Sequence, residues 1–204
     1  KCYAGDVRFS IKMSYARYYP REKPELMLYD IASLEDTPVR FEICVHQTGN
    51  KTPTEVIQIQ DKKHRIKEIL SIPDEGQYEI IVKAYSNDVI VAEKKTGFYL
   101  ISEDRILYEM QQFPRMKVDS GISTDFAVQN GNIIPIHGTT YFVTDEYQKC
   151  FLNFNLARCD EDLKLLQKDG FRVLRSGNWM LNTDFLGKDG SICKNARRAL
   201  QAYF

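Results

Sequence analysis

Over the first hundred positions, apolar and polar residues alternate with a period of two. Val7, Phe9, Ile11 and Met13 alternate with Arg8, Ser10 and Lys12, the pattern of a strand with one buried face. After breaks at Pro20 and Pro24, the stretches 25–31, 39–46 and 54–60 predict three more strands. Glu35-Asp36-Thr37-Pro38 and Thr48-Gly49-Asn50 supply the turns between them. A further turn at Pro73-Asp74-Glu75-Gly76 leads into a strand in which Tyr78, Ile80, Val82 and Ala84 point one way, Glu79 and Lys83 the other. Asn87-Asp88 is the next turn, and Val89 to Val91 and Gly97 to Leu100 complete the series. No helical period interrupts it.

Some seven short strands in about 100 residues predict an immunoglobulin-like β-sandwich for residues 1–102, with another antiparallel barrel as the alternative. Tyr78, two residues after a turn glycine, stands where a tyrosine corner ties such a strand back through its hydroxyl. Residues 103–124 read as a connector. Its short helix, 103–112, carries Ile106, Leu107 and Met110 on one side and stops before Pro114.

From residue 125 the pattern changes. Asn130-Gly131, between 125–128 and 133–136, is a strong hairpin signal. Ile133, Ile134 and Ile136, followed by Thr139, Thr140, Tyr141, Phe142 and Val143, form the β-branched and aromatic run of a buried strand. Asp160 stands as an N-cap, with Glu161 and Asp162 in the first helical turn, Leu163, Leu166 and Leu156 on one face and Gly170 as the left-handed stop. Phe171, Val173 and Leu174 then run into Arg175, Ser176, Gly177, Asn178 and Trp179. Strand, helix and strand predict a right-handed βαβ unit with parallel strands. A final helix spans 192–204, with Ile192, Ala196, Ala199, Leu200 and Tyr203 sharing a face.

Charge and cysteine usage narrow the function classes. Lys+Arg and Asp+Glu are both 28, so the net charge is +0, and no basic stripe points to nucleic acid. No apolar run reaches the ~20 residues of a membrane span, and residues 1–6 lack the apolar core of a signal peptide. Cys2, Cys44, Cys150, Cys159 and Cys193 form no C-x-x-C pair, so neither a metal site nor a redox dithiol is expected, and no cofactor is implied. Asn50-Lys51-Thr52 is a glycosylation triplet, meaningful only in a secreted eukaryotic protein.

Phe126-Ala127-Val128-Gln129-Asn130-Gly131, then Pro135-Ile136-His137-Gly138-Thr139-Thr140-Tyr141, then Asp162-Leu163 with Leu166 and Gly170-Phe171-Arg172-Val173-Leu174-Arg175, resemble the opening of the catalytic barrel of retaining glycoside hydrolases of the β-galactosidase and β-mannanase type. In that family a β-sandwich often precedes the (β/α)8 barrel. The resemblance implies that 125–204 is a hairpin plus the first βαβα quarter of a TIM barrel. It also implies that carbohydrate is bound by Tyr141 at the end of the first barrel strand, Arg175 at the end of the second, and Asn178 and Trp179 on the same rim. Strand C-terminal ends form the active face of such barrels. Taken alone, the residues leave other roles open: Arg175 pairing with a surface carboxylate, Trp179 as core, Tyr141 filling the barrel floor, His137 as a structural histidine.

Retaining glycosidases need two carboxylates about 5 Å apart, which in this family come from later strands, the acid/base as Asn-Glu. The chain has no Asn-Glu dipeptide, and about 75 residues follow Asn130 where a whole barrel takes about 250. Asp145 and Glu146 read as a solvated loop pair. The expectation is therefore the N-terminal portion of a glycoside hydrolase acting on poly- or oligosaccharides, with no catalytic residue of its own and inactive alone. Its partners would be carbohydrate and the remainder of the barrel or a second copy, and its setting secreted or cell-surface. The alternative is a non-enzymatic, carbohydrate- or protein-binding immunoglobulin-like module.

Overall fold

The computed structural model describes residues 7–33, 39–61, 64–112, 117–119, 121–141, 154–175 and 186–203. Eight strands come first: β1 (Val7–Met13), β2 (Arg17–Tyr18), β3 (Glu25–Ser33), β4 (Val39–Gln47), β5 (Glu55–Asp61), β6 (Ile66–Ile69), β7 (Gly76–Ser86) and β8 (Val89–Leu100). They form a three-stranded sheet, β1-β3-β6, and a five-stranded sheet, β2-β8-β7-β4-β5. All neighbours are antiparallel except β2 and β8.

The two sheets share one apolar core, so the alternation in sequence becomes burial in space. Phe9, Leu26 and Leu28 of the smaller sheet and Phe41, Ile43, Val45, Ile80, Val82 and Phe98 of the larger one are buried in it. Tyr78 stacks on Phe98 with ring centroids 5.2 Å apart, and its hydroxyl donates to the Asp74 carbonyl at 2.8 Å, tying β7 to its corner. The β7–β8 turn uses Asn87 (φ 49°) and Asp88 (φ 62°), both left-handed, a conformation that Asn and Asp tolerate better than most residues.

After α1 (Glu103–Gln112) come β9 (Lys117–Asp119), β10 (Ser123–Gln129) and β11 (Asn132–Ile134), an antiparallel sheet of order β11-β10-β9. Asn130 (φ 52°) and Gly131 (φ 78°) make its expected tight turn. Next, β12 (Gly138–Thr140) pairs in parallel with β13 (Val173–Arg175), α2 (Leu156–Lys168) lies between them in sequence, and α3 (Lys194–Tyr203) ends the chain. A second core gathers Tyr141, Phe154, Leu156, Cys159, Ala196 and Ala199 around Ala16 of the β1–β2 link. The protein is β-rich, with two packed sheets followed by a mixed α/β region, and the described residues close no barrel.

Several expectations change. The run 133–143 is not one buried strand: β11 ends at Ile134, β12 starts at Gly138, and Ile133 and Ile136 are exposed; Phe142 and Val143 lie outside the described residues. The N-cap of α2 is Asn155 rather than Asp160, because the Asn155 carboxamide accepts from the Arg158 N–H at 3.2 Å and the apolar face begins a turn earlier at Leu156. Asp160 instead pairs with Lys164 at 2.6 Å across one helical turn. Gly170 does end the helix with φ 86°. The two short runs 89–91 and 97–100 are one strand of 12 residues, β8. The final helix starts at Lys194, while Ile192 bridges Leu186.

Candidate functional site

The parallel register of β12 and β13 sets Gly138 against Val173, Thr139 against Leu174 and Thr140 against Arg175. One residue further, the Tyr141 N–H donates to the Arg175 carbonyl at 3.1 Å, so the structure brings two of the four proposed sugar-binding residues together at the strands' C-terminal ends. Close approach is possible because β12 begins with glycine: a Cβ at Gly138 would sit 2.9 Å from the Val173 carbonyl oxygen. Asn178 and Trp179 lie outside the described residues, as do Asp145 and Glu146.

The two side chains differ in what they offer. Arg175 is exposed, and its planar fork of donors suits an anionic or hydroxyl-rich ligand. Tyr141 is buried, and its hydroxyl donates to Asp162 Oδ2 of α2 at 3.1 Å. Asp162 also takes the Arg158 Nε at 3.1 Å. Burial, with the neighbouring Cys159 thiol and Asp162 carboxylate, drives the Tyr141 phenol far above its usual range, so it stays protonated as a donor. It thereby pins the end of β12 to the helix. His137 stacks on Phe171 at 4.4 Å, with its Nδ1 3.2 Å from the Gly170 carbonyl oxygen, a structural contact at the α2–β13 corner.

Two further arrangements escaped the sequence reading. Arg198 of α3 is buried and makes a two-pronged bridge to Glu22, Nη1 to Oε2 at 2.7 Å and Nη2 to Oε1 at 2.8 Å, while Nη1 also donates to the Arg17 carbonyl at 3.1 Å. The guanidinium holds the Glu22 carboxyl below its ordinary range. The second is an open polar groove of about 480 Å³ between the end of β4 and its following turn, β7, β8 and α2, lined among others by His46, Gln47, Glu79, Lys95, Glu161 and Lys164. Lys95 spans it to Glu79 at 3.4 Å and to Glu161 at 3.5 Å.

Cys44, Cys159 and Cys193 are free thiols; Cys2 and Cys150 lie outside the described residues. Among the described residues no cluster of three His, Cys, Asp or Glu side chains is arranged to hold a metal ion, and no helix is long and apolar enough to cross a membrane.

No family model matches the chain, and no curated protein matches it. Among solved structures, a glycosyl hydrolase family 2 member from Bacteroides cellulosilyticus aligns with 100% of this chain and 24% of its own, at 11% identity and TM-score 0.30. A superoxide reductase (neelaredoxin) from Ignicoccus hospitalis aligns over 47% of this chain and 82% of its own, at 8% identity and TM-score 0.33. A CARDB domain from Pyrococcus furiosus, in complex with di-metal ions, aligns over 48% and 96%, at 9% identity and TM-score 0.34. The chain thus spans about a quarter of the length of the glycosyl hydrolase it matches. Proteins of such different chemistry at such low scores carry no functional argument, so function here rests on the chain's own residues.

Proposed function

We propose that this chain is the N-terminal portion of a glycoside hydrolase acting on poly- or oligosaccharides: an immunoglobulin-like sandwich, then the first βαβα quarter of a TIM barrel. The observation that carries the reading is the parallel β12–β13 pair bridged by α2, with Tyr141 and the exposed Arg175 at its C-terminal ends. In that role Arg175 faces the sugar-binding rim, Asn178 and Trp179 extend it with an amide for hydroxyls and an indole for a sugar face, and Tyr141 holds the strand end in place. The two reacting carboxylates belong to later strands of the barrel, so this chain binds without cleaving.

The test uses the 204-residue chain against aryl β-glycosides for hydrolysis, and against mannan- and galactan-derived oligosaccharides for binding by calorimetry. The expected result is no hydrolysis, with binding weakened about tenfold or more by Arg175→Ala and by Trp179→Ala, the loss of roughly one charge-assisted or stacking contact. Turnover by this chain alone overturns the reading, as does binding that neither substitution changes. A second reading, a non-enzymatic carbohydrate- or protein-binding module, draws on the polar groove beside Lys95. It is favoured if binding survives both rim substitutions and is lost in Glu79→Ala or Lys95→Ala.

A further inference from the structure

Arg17, in β2, is only 2% exposed, yet among the described residues no acceptor reaches its Nε or Nη2. These two nitrogens form one edge of the guanidinium, the edge that grips a carboxylate side-on with two parallel N–H groups. Orphaned buried donors are rare in native proteins, and a bound water or ion is the common reason for one.

Charge decides between those two. Arg198 of α3 lies close by, and the ring of Tyr19 is shared by both guanidiniums, 4.7 Å from the Arg17 Cζ and 4.9 Å from that of Arg198. Two carboxylates face these cations, and both are engaged. Glu22 gives both oxygens to Arg198, and Glu103 accepts the Tyr19 hydroxyl at 3.0 Å. Among the described residues the two guanidiniums thus meet two carboxylates, but neither carboxylate reaches the Nε/Nη2 edge of Arg17, so the more deeply buried cation lacks a contacting anion. Water would fill the two N–H groups but leave the guanidinium without a contacting anion, whereas one small anion supplies both. Burial pulls the Arg17 pKa down, but an arginine has so much reserve that it stays charged.

We propose that the Nε/Nη2 edge of Arg17 is an internal site for one small monovalent anion, a halide or a formate-sized carboxylate. The anion sits where β2, the start of α1 and α3 meet, and its binding holds α3 against the sandwich. It binds the folded chain alone, so it raises the melting temperature in a saturable way.

The test is thermal unfolding of the whole chain at constant ionic strength, with sodium chloride or sodium formate replacing sodium isethionate, whose anion is much larger than chloride or formate. At an anion concentration ten times its dissociation constant the expected Tm rise is about 3–6 °C. A response to chloride alone identifies a halide site, a response to formate alone a carboxylate site, and a response to both a general small-anion site. Arg17→Met abolishes the response, and Arg17→Lys, which keeps the charge without the fork, shifts the midpoint to at least tenfold higher anion. A Tm that is the same in all three sodium salts overturns the proposal, whether or not the variants fold. So does an anion response that persists unchanged in Arg17→Met.

Discussion

The bridge between Arg198 and Glu22 is the most consequential contact between α3 and the sandwich, and removing its acid partner tests that directly. Glu22→Gln keeps the shape but replaces two charge-assisted hydrogen bonds, at 2.7 and 2.8 Å, with at best one neutral acceptor. Breaking a fully buried pair costs about 3–5 kcal/mol. The Glu22 side chain is 34% exposed, however, so solvent screens part of the interaction, and the loss falls to about 1.5–2.5 kcal/mol. For a chain of this size that lowers Tm by roughly 3–10 °C.

Arg198→Met keeps a long stem against the neighbouring rings and removes the three hydrogen bonds, with a similar loss of about 1.5–3 kcal/mol. The assay is denaturant unfolding of wild type, both single variants and the double variant, and the expected coupling is about 1–2 kcal/mol. The pH dependence has a definite sign. Because the folded Glu22 carboxyl lies below its ordinary 4.5, the bridge contributes fully above that value and is lost as pH falls through the lowered folded pKa. Single variants whose losses add to within about 0.3 kcal/mol would refute the bridge as a coupled unit.

Three other substitutions probe separate links. Tyr78→Phe keeps the ring stack and removes only the 2.8 Å bond to the Asp74 carbonyl, which costs about 0.5–1.5 kcal/mol by denaturant unfolding. Gly97→Ala places a methyl group 2.6 Å from the Tyr78 carbonyl oxygen, so β7 and β8 must part locally, and 3.4 Å from the Ala157 nitrogen of α2; a loss of about 1–3 kcal/mol is expected in the same assay. Tyr141→Phe removes one step from a spectrophotometric tyrosine titration, the step that wild type shows only on alkaline unfolding. Because the folded phenol lies above its ordinary 10.0, its contribution is complete below that pH and is lost as pH rises beyond it, a dependence that the variant lacks.

Much of the sandwich was legible because burial follows alternation residue by residue, as in β4, where Val39, Phe41, Ile43 and Val45 are all buried. Strands without that contrast were missed. β6 is an edge strand with Ile66 buried and Ile69 exposed, and β2 is two residues long, too short for any period. The charged run Glu93-Lys94-Lys95 made β8 look broken, although Lys95 reaches out to Glu79 and Glu161 while the backbone pairing to β7 continues. The strand-end pair was readable from local signals on both sides of α2. What Asp162 does there was not: it looked like a helix-dipole residue and proved to be the acceptor of Tyr141. Arg198 could not be read at all, since its partner lies 176 residues away in sequence.

β8 ends in a way that bears on where this chain can be cut. Phe98 and Leu100 face the sandwich interior, whereas Tyr99 between them packs against the second core of α2 and α3, so the last turn of alternation makes the strand a party wall between two rooms. A construction boundary drawn just after that wall would strip the outer room from it, leaving the Tyr99 ring and Ala16 facing water and Glu22 without its arginine. The two rooms are therefore expected to melt together, and a sandwich excised on its own would need a new outer skin at β2 and β8 before it behaved as an independent piece.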